Sequence, residues 1–156
     1  MYTPAKFRNY HDSSKPYIKL IPENIKTMAE DLLQYLIDLD LDMSVRIYFN
    51  FKDGHGTAIQ TTLPSASCNY RCITQVKGKN SYKYYILDDI NPRDYFEYNG
   101  DYLSMSFEGP LYHILNYTAY RESRMERVNK QLNNYFSHYG LYMELGNAWN
   151  ASVYKM

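Results

Sequence analysis

Nucleophilic, acid–base and metal chemistry each need particular side chains at particular spacings, and the chain offers a few groups to test. Cys68 and Cys72 are separated by Asn69, Tyr70 and Arg71, which is not the usual C-x2-C metal spacing, although His55 is available as a third ligand. In one extended strand the two thiols would share a face roughly 13 Å apart, beyond disulfide reach. Two reduced thiols are therefore expected. A Cys or Ser nucleophile would need a histidine within hydrogen-bond reach and donors for a developing oxyanion. His55, His113 and His138, with Asp88, Asp89 and the hydroxyls of Ser65, Ser67, Ser104 and Ser106, show no spacing that assembles such a set. No catalytic residue is assigned.

The glycine cluster Asp53-Gly54-His55-Gly56 has neither the phosphate-loop pattern nor the dinucleotide fingerprint, and the segment after it reads as a strand. A hairpin turn explains it. Asp38, Asp40 and Asp42 alternate at a helix exit but lack the glycine and terminal glutamate of a calcium loop, so solvated acids are expected. Neither a metal nor a cofactor is implied.

Binding chemistry is better represented. Arg71, Lys77, Lys79, Tyr82, Lys83, Tyr84 and Tyr85 combine cations that can follow phosphates with rings that can stack on bases. Strand alternation divides them, with Tyr82 and Tyr84 on one face and Lys83 and Tyr85 on the other, so one tyrosine pair must be core. Arg121, Arg124, Arg127 and Lys130 recur every three residues, which turns them through roughly 180° around a helix. That is a sweeping basic surface, partly neutralised by Glu122 and Glu126. The outlying feature is tyrosine, 19 of 156 residues, a side chain that joins apolar contact to a directional hydroxyl at low entropic cost. Tyr35, Tyr135 and Tyr139 read as core. Tyr48, Tyr98, Tyr102 and Tyr142 fall opposite apolar faces and are the candidate protein-binding set.

These side chains must be positioned by the elements that periodicity predicts. Pro22 and Glu23 suit a first helical turn, and Ile25, Met28, Leu32, Leu36 and Leu39 trace one face of a helix over about 22–38. Val45, Ile47, Phe49 and Phe51 alternate with Arg46, Tyr48, Asn50 and Lys52, the period of a half-buried strand. Further strands are expected near 57–63, 69–76 and 81–88, with Asn91-Pro92 as a break. Asn99-Gly100 predicts a two-residue hairpin joining 94–98 to 101–107. After Gly109-Pro110 come a short helix near 111–117 and a longer one through Tyr139, closed by Gly140. Leu141, Met143 and Leu145, then Trp149, Ala151 and Val153, predict a terminal hairpin with these residues facing inward. Residues 1–20 read as an arm or edge segment.

The resulting expectation is a single α+β domain over 1–156: a mostly antiparallel sheet of about five to seven strands, packed by an N-terminal helix and a long C-terminal helix. The absence of βαβ alternation disfavours a doubly wound nucleotide fold. One sheet face is expected to stay open for recognition.

Equal numbers of basic and acidic residues, 17 each, remove the net field that helps most nucleic-acid binders. Neutrality conceals blocks, however: +3 over 1–20, −5 over 21–45, +5 over 46–87, −5 over 88–116 and +2 over 117–156. No apolar run is long enough to span a membrane, and the first residues lack the core of a signal peptide, so a cytoplasmic protein without a membrane partner is expected.

The leading functional expectation is a non-enzymatic protein that recognises a protein or ribonucleoprotein complex and acts by steric inhibition. Small host-defence antagonists of phages and mobile elements exemplify this class. The second is a single-stranded nucleic-acid binder using Arg71, Lys77, Lys79, Tyr82 and Lys83 with Arg121, Arg124 and Arg127. The third is a small enzyme whose site forms only in the tertiary fold.

Overall fold

The computed structural model of the chain describes residues 18–51, 55–77, 79–96, 100–116 and 122–156. Their architecture is α+β: a seven-stranded antiparallel sheet flanked by an N-terminal helix and two C-terminal helices. Helix α1 spans Pro22–Asp38, and strands β1 and β2 span Val45–Phe49 and Thr57–Gln60. The hairpin strands β3 and β4 span Tyr70–Lys77 and Asn80–Leu87. A single 3-10 turn at Pro92–Asp94 precedes β5 (Leu103–Phe107). Helices α2 (Gly109–Asn116) and α3 (Glu122–Ser137) follow, then β6 (Leu141–Asn147) and β7 (Asn150–Lys155). Strand order across the sheet is β3-β4-β2-β1-β5-β7-β6.

Alternation sorts each strand into two faces. Val45, Ile47 and Phe49 pair in register with Phe107, Met105 and Leu103, and with Ile59, Ile86, Ala151 and Val153 they meet Leu32, Leu36, Leu132 and Phe136 of the helices. Each such side chain contributes about 1.5–3 kcal/mol on leaving water. α1 starts without a side-chain cap, but Pro22 occupies a position where its missing N–H costs nothing.

Tyrosine hydroxyls tie this core together. Tyr135 of α3 donates to Asp31 of α1 at 2.6 Å, and Tyr35 donates to Gln131. Tyr82 and Tyr84 of β4 donate to Asp38 and Glu30 of α1 at 3.0 and 2.9 Å. The expected core pair in the hairpin is thus Tyr82 and Tyr84, and Asp38 binds a hydroxyl, as Asp42 does from Thr61 at 2.5 Å. These two acids act as acceptors within the fold, a correction to the solvated reading.

Burial raises the pKa of Tyr35, Tyr84, Tyr135 and Tyr139 above the ordinary value of 10.0, with nearby carboxylates adding to the effect for Tyr84, Tyr135 and Tyr139. A raised folded-state value means stability that is complete below the unfolded pKa and lost as pH climbs towards the folded one. An alkaline titration followed at 295 nm should therefore show these phenols ionising late, together with loss of far-UV ellipticity. Full ionisation of all tyrosines near pH 10 in a folded chain would contradict this burial.

Two expectations are corrected. Residues 94–96 form no strand, and β5 pairs with β1 and β7, so the Asn99-Gly100 hairpin is not built; residues 97–99 lie outside the described residues. Gly100 serves close approach: a Cβ there would stand 2.1 Å from the carbonyl oxygen of Val153. The sheet face away from the helices is also only partly open. After Asn91-Pro92 the chain folds back across it, burying Tyr48, Phe51, Ala58, Leu87, Ile90 and Phe96 in a second small core.

The charge blocks partly cancel, because acidic α1 lies over β1 and β2 and binds β4 through Tyr82 and Tyr84, and Asp88 of the following acidic block meets Arg71 at 3.5 Å. No helix among the described residues is long and apolar enough to cross a membrane.

Candidate aromatic–arginine cleft

Beside the second core, the sheet face opposite the helices holds a cleft of about 390 Å³. Arg46 of β1 forms its floor. The polar phase of that strand sends Arg46 and Tyr48 to this face, and the register places Ser106 of β5 beside Arg46. Arg46 Nε donates to Gln60 Oε1 at 2.6 Å, fixing the guanidinium plane. Its central carbon lies 5.9 Å from the Tyr48 ring centre and 6.0 Å from that of Tyr95, within cation–π range of both. Among the described residues no carboxylate lies within ion-pair distance of Arg46.

The walls are aromatic. Tyr48 and Tyr95 have ring centres 6.1 Å apart, and edge contacts of 5.6 Å run from Tyr48 to Phe96 and from Phe96 to Trp149. Tyr95 is 54% exposed and Trp149 39%, whereas Tyr48 is 2% exposed. Burial raises the pKa of Tyr48, against the opposing influence of Ser106 and Arg46. Thr62, Ser44 and Glu108 supply a polar rim. Next to them in the chain, Leu63 and Met43 leave large apolar side chains in solvent. Trp149 and Glu108 also line an adjoining depression of about 330 Å³ with Tyr112 and His113.

The candidate residues from sequence are dispersed. Tyr48 was expected on an open surface and instead lies beneath Tyr95 and Phe96, because the segment after Pro92 covers it. Tyr142 is exposed on β6 and stacks near Tyr154, while Tyr102 is half-buried under Lys155. Tyr98 lies outside the described residues. Tyr82 faces α1 and is closed to a nucleic acid, which corrects its placement on an accessible surface. Lys83 is exposed 5.9 Å from the Tyr85 ring on the face away from the helices, and Arg71 and Lys79 are also exposed. Arg127 is exposed on α3, on the opposite face near β6, and Arg124 is half-buried with Nη2 donating to the Leu39 carbonyl. The hairpin and helix cations are not brought onto one surface. The side chain of Lys77 and all of Arg121 lie outside the described residues.

Sequence reasoning missed Tyr95 and Trp149. β7 begins at Asn150, so Trp149 sits in the turn before it and escapes the inward phase of Ala151 and Val153; its carbonyl accepts from Phe107 N at 2.8 Å. Cys68 and Cys72 are free, and no group of three potential metal ligands occurs among the described residues. Cys72 is exposed and Cys68 partly buried, so Ellman's reagent should modify Cys72 first; equal rates would contradict that difference. Comparison with protein-family models, with curated proteins and with solved structures finds no match to the chain.

Proposed function

We propose that the protein is a non-enzymatic recognition protein that receives an acidic, aromatic-flanked segment of a partner protein in the Arg46 cleft. The observation that carries this reading is the Arg46 guanidinium, which packs against both Tyr48 and Tyr95 and, among the described residues, has no carboxylate within ion-pair distance, in a cleft where Trp149 and Tyr95 stay exposed. Arginine and large aromatic rings are the side chains that dominate binding energy at protein interfaces. A carboxylate entering the cleft would gain a charge-assisted, directional bond in a setting already shielded by rings. By occupying its partner's surface, a chain of this size acts sterically, as small antagonists of host complexes do.

The experiment is capture of partners from the native cellular context on the immobilised chain, with and without nuclease, in parallel with an Arg46→Ala chain shown by circular dichroism to be folded. A protein retained after nuclease by the native chain and lost by the variant is the expected result. Loss of every partner after nuclease would overturn it in favour of nucleic-acid recognition.

A further inference from the structure

The sheet has two edges, and they are treated differently. β6 is shielded: Asn133 of α3 reaches over to accept the Met143 N–H at 2.8 Å, and a bulge interrupts the strand between Leu145 and Asn147. These are the devices by which folded proteins stop an edge from recruiting another strand. β3, the opposite edge, has neither a covering side chain among the described residues nor a bulge, and only the charges of Arg71 and Lys77 guard it. It runs eight residues in unbroken register with β4, carries no Pro or Gly, and leaves Tyr70 and Val76 exposed, Val76 at 70%. Among the described residues nothing bonds to the backbone groups on its outer side. In an antiparallel edge strand alternate residues present both N–H and C=O outward, a ready template for an added strand.

Charge selects the occupant. The segment Tyr70–Leu87 holds Arg71, Lys77, Lys79 and Lys83 and no acid. Arg71 has only a surface contact with Asp88 at 3.5 Å, both side chains being well exposed, and such pairs exchange readily. A second copy of this chain would bring two basic hairpins edge to edge, which like charges disfavour. An acidic strand is complementary. Alternation adds a pattern: Tyr70, Cys72, Thr74 and Val76 share the face away from the helices, whereas Ile73 packs towards α1 with Tyr84.

We propose that the outer edge of β3 is a strand-addition site for an extended acidic segment of a partner protein, one whose alternate residues are apolar to meet Tyr70 and Val76. The site is independent of the Arg46 cleft, from which β4 and β2 separate it.

The test is a nuclear magnetic resonance titration of the uniformly 15N-labelled full chain with a soluble twelve-residue peptide of alternating Glu and Val. Two controls are its Lys/Val counterpart and a Glu/Val peptide N-methylated at every residue. The Glu/Val peptide is expected to shift the β3 amide signals and slow their exchange. The Lys/Val peptide should bind at least about ten-fold more weakly, since charge complementarity sets the discrimination. N-methylation should abolish binding, because it removes the donors of both ladder edges. Arg71→Glu and Val76→Glu, both at exposed positions, should each weaken the peptide, while Arg46→Ala leaves it unchanged; that last result separates this site from the cleft. The proposal is overturned by unchanged β3 signals at millimolar Glu/Val peptide, or by equal binding of the Lys/Val peptide. It is equally overturned by β3 protection that follows chain concentration without peptide, or by a single-stranded oligonucleotide perturbing the same amides more tightly than the peptide does.

Discussion

Alanine at Gly100 or at Gly56 is expected to destabilise the fold by roughly 2–4 kcal/mol, lowering the melting temperature by about 5–15 °C. At Gly100 the added Cβ would lie 2.1 Å from the Val153 carbonyl oxygen; at Gly56 it would lie 2.3 Å from the Ile90 carbonyl oxygen and 2.6 Å from Phe51 Cβ. Neither obstacle is the flexible end of a side chain. Backbone must move, and the backbone concerned belongs to β7 in one case and to the segment that covers the second core in the other. Gly56 also accepts from Ile90 N at 2.9 Å, so displacement there should loosen the wall formed by Tyr95 and Phe96. Gly140→Ala is the comparison: its φ of +71° is strained for alanine, but nothing lies within 4 Å of the new methyl, so a smaller cost of about 1–2 kcal/mol is expected. Thermal melts of the three variants check this order. Equal small losses at all three would show that the close approaches do not exist.

Arg46→Ala is expected to weaken partner binding by about 30-fold or more, the loss typical of an interface residue worth at least about 2 kcal/mol. Stability should change much less, because the side chain is half-buried and its hydrogen bond to Gln60 lies at the cleft floor. Arg46→Lys should recover only part of the affinity. An ammonium keeps the charge but loses the planar fork that Gln60 orients beside the two tyrosine rings. A calorimetric titration of the captured partner into each variant reads both effects. Arg46→Lys equal to the native chain would reduce the site to a point charge and contradict a role for the planar guanidinium.

Much of this framework is legible in the sequence, because each strand announces itself by alternation and each helix by its apolar stripe. Pro22–Asp38 follows from Pro22 and the Ile25–Leu39 stripe, and β3 and β4 are found to within a residue of their expected limits. The cleft is legible only in part. Arg46 and Tyr48 lie on the polar phase of β1, so their shared face can be read directly. What covers that face cannot, since the path taken after Asn91-Pro92 depends on long-range packing of Ile90 and Phe96 against Tyr48 and Leu87. The Asn99-Gly100 signal misled for a related reason: glycine serves both tight turns and close backbone approach, and local sequence does not distinguish them. Trp149 was assigned the phase of β7 although it precedes the strand, and one residue of offset reverses the face.

Trp149 also supplies the most direct measurement. It is the chain's only tryptophan and it lines the cleft and the adjoining depression, so its emission responds to a ligand seated there. Titrating the partner into the native chain should give a saturable change in emission, with half-saturation moved to about 30-fold higher concentration or beyond by Arg46→Ala. A partner that binds both chains at the same concentration while the emission stays constant would place recognition elsewhere on the molecule.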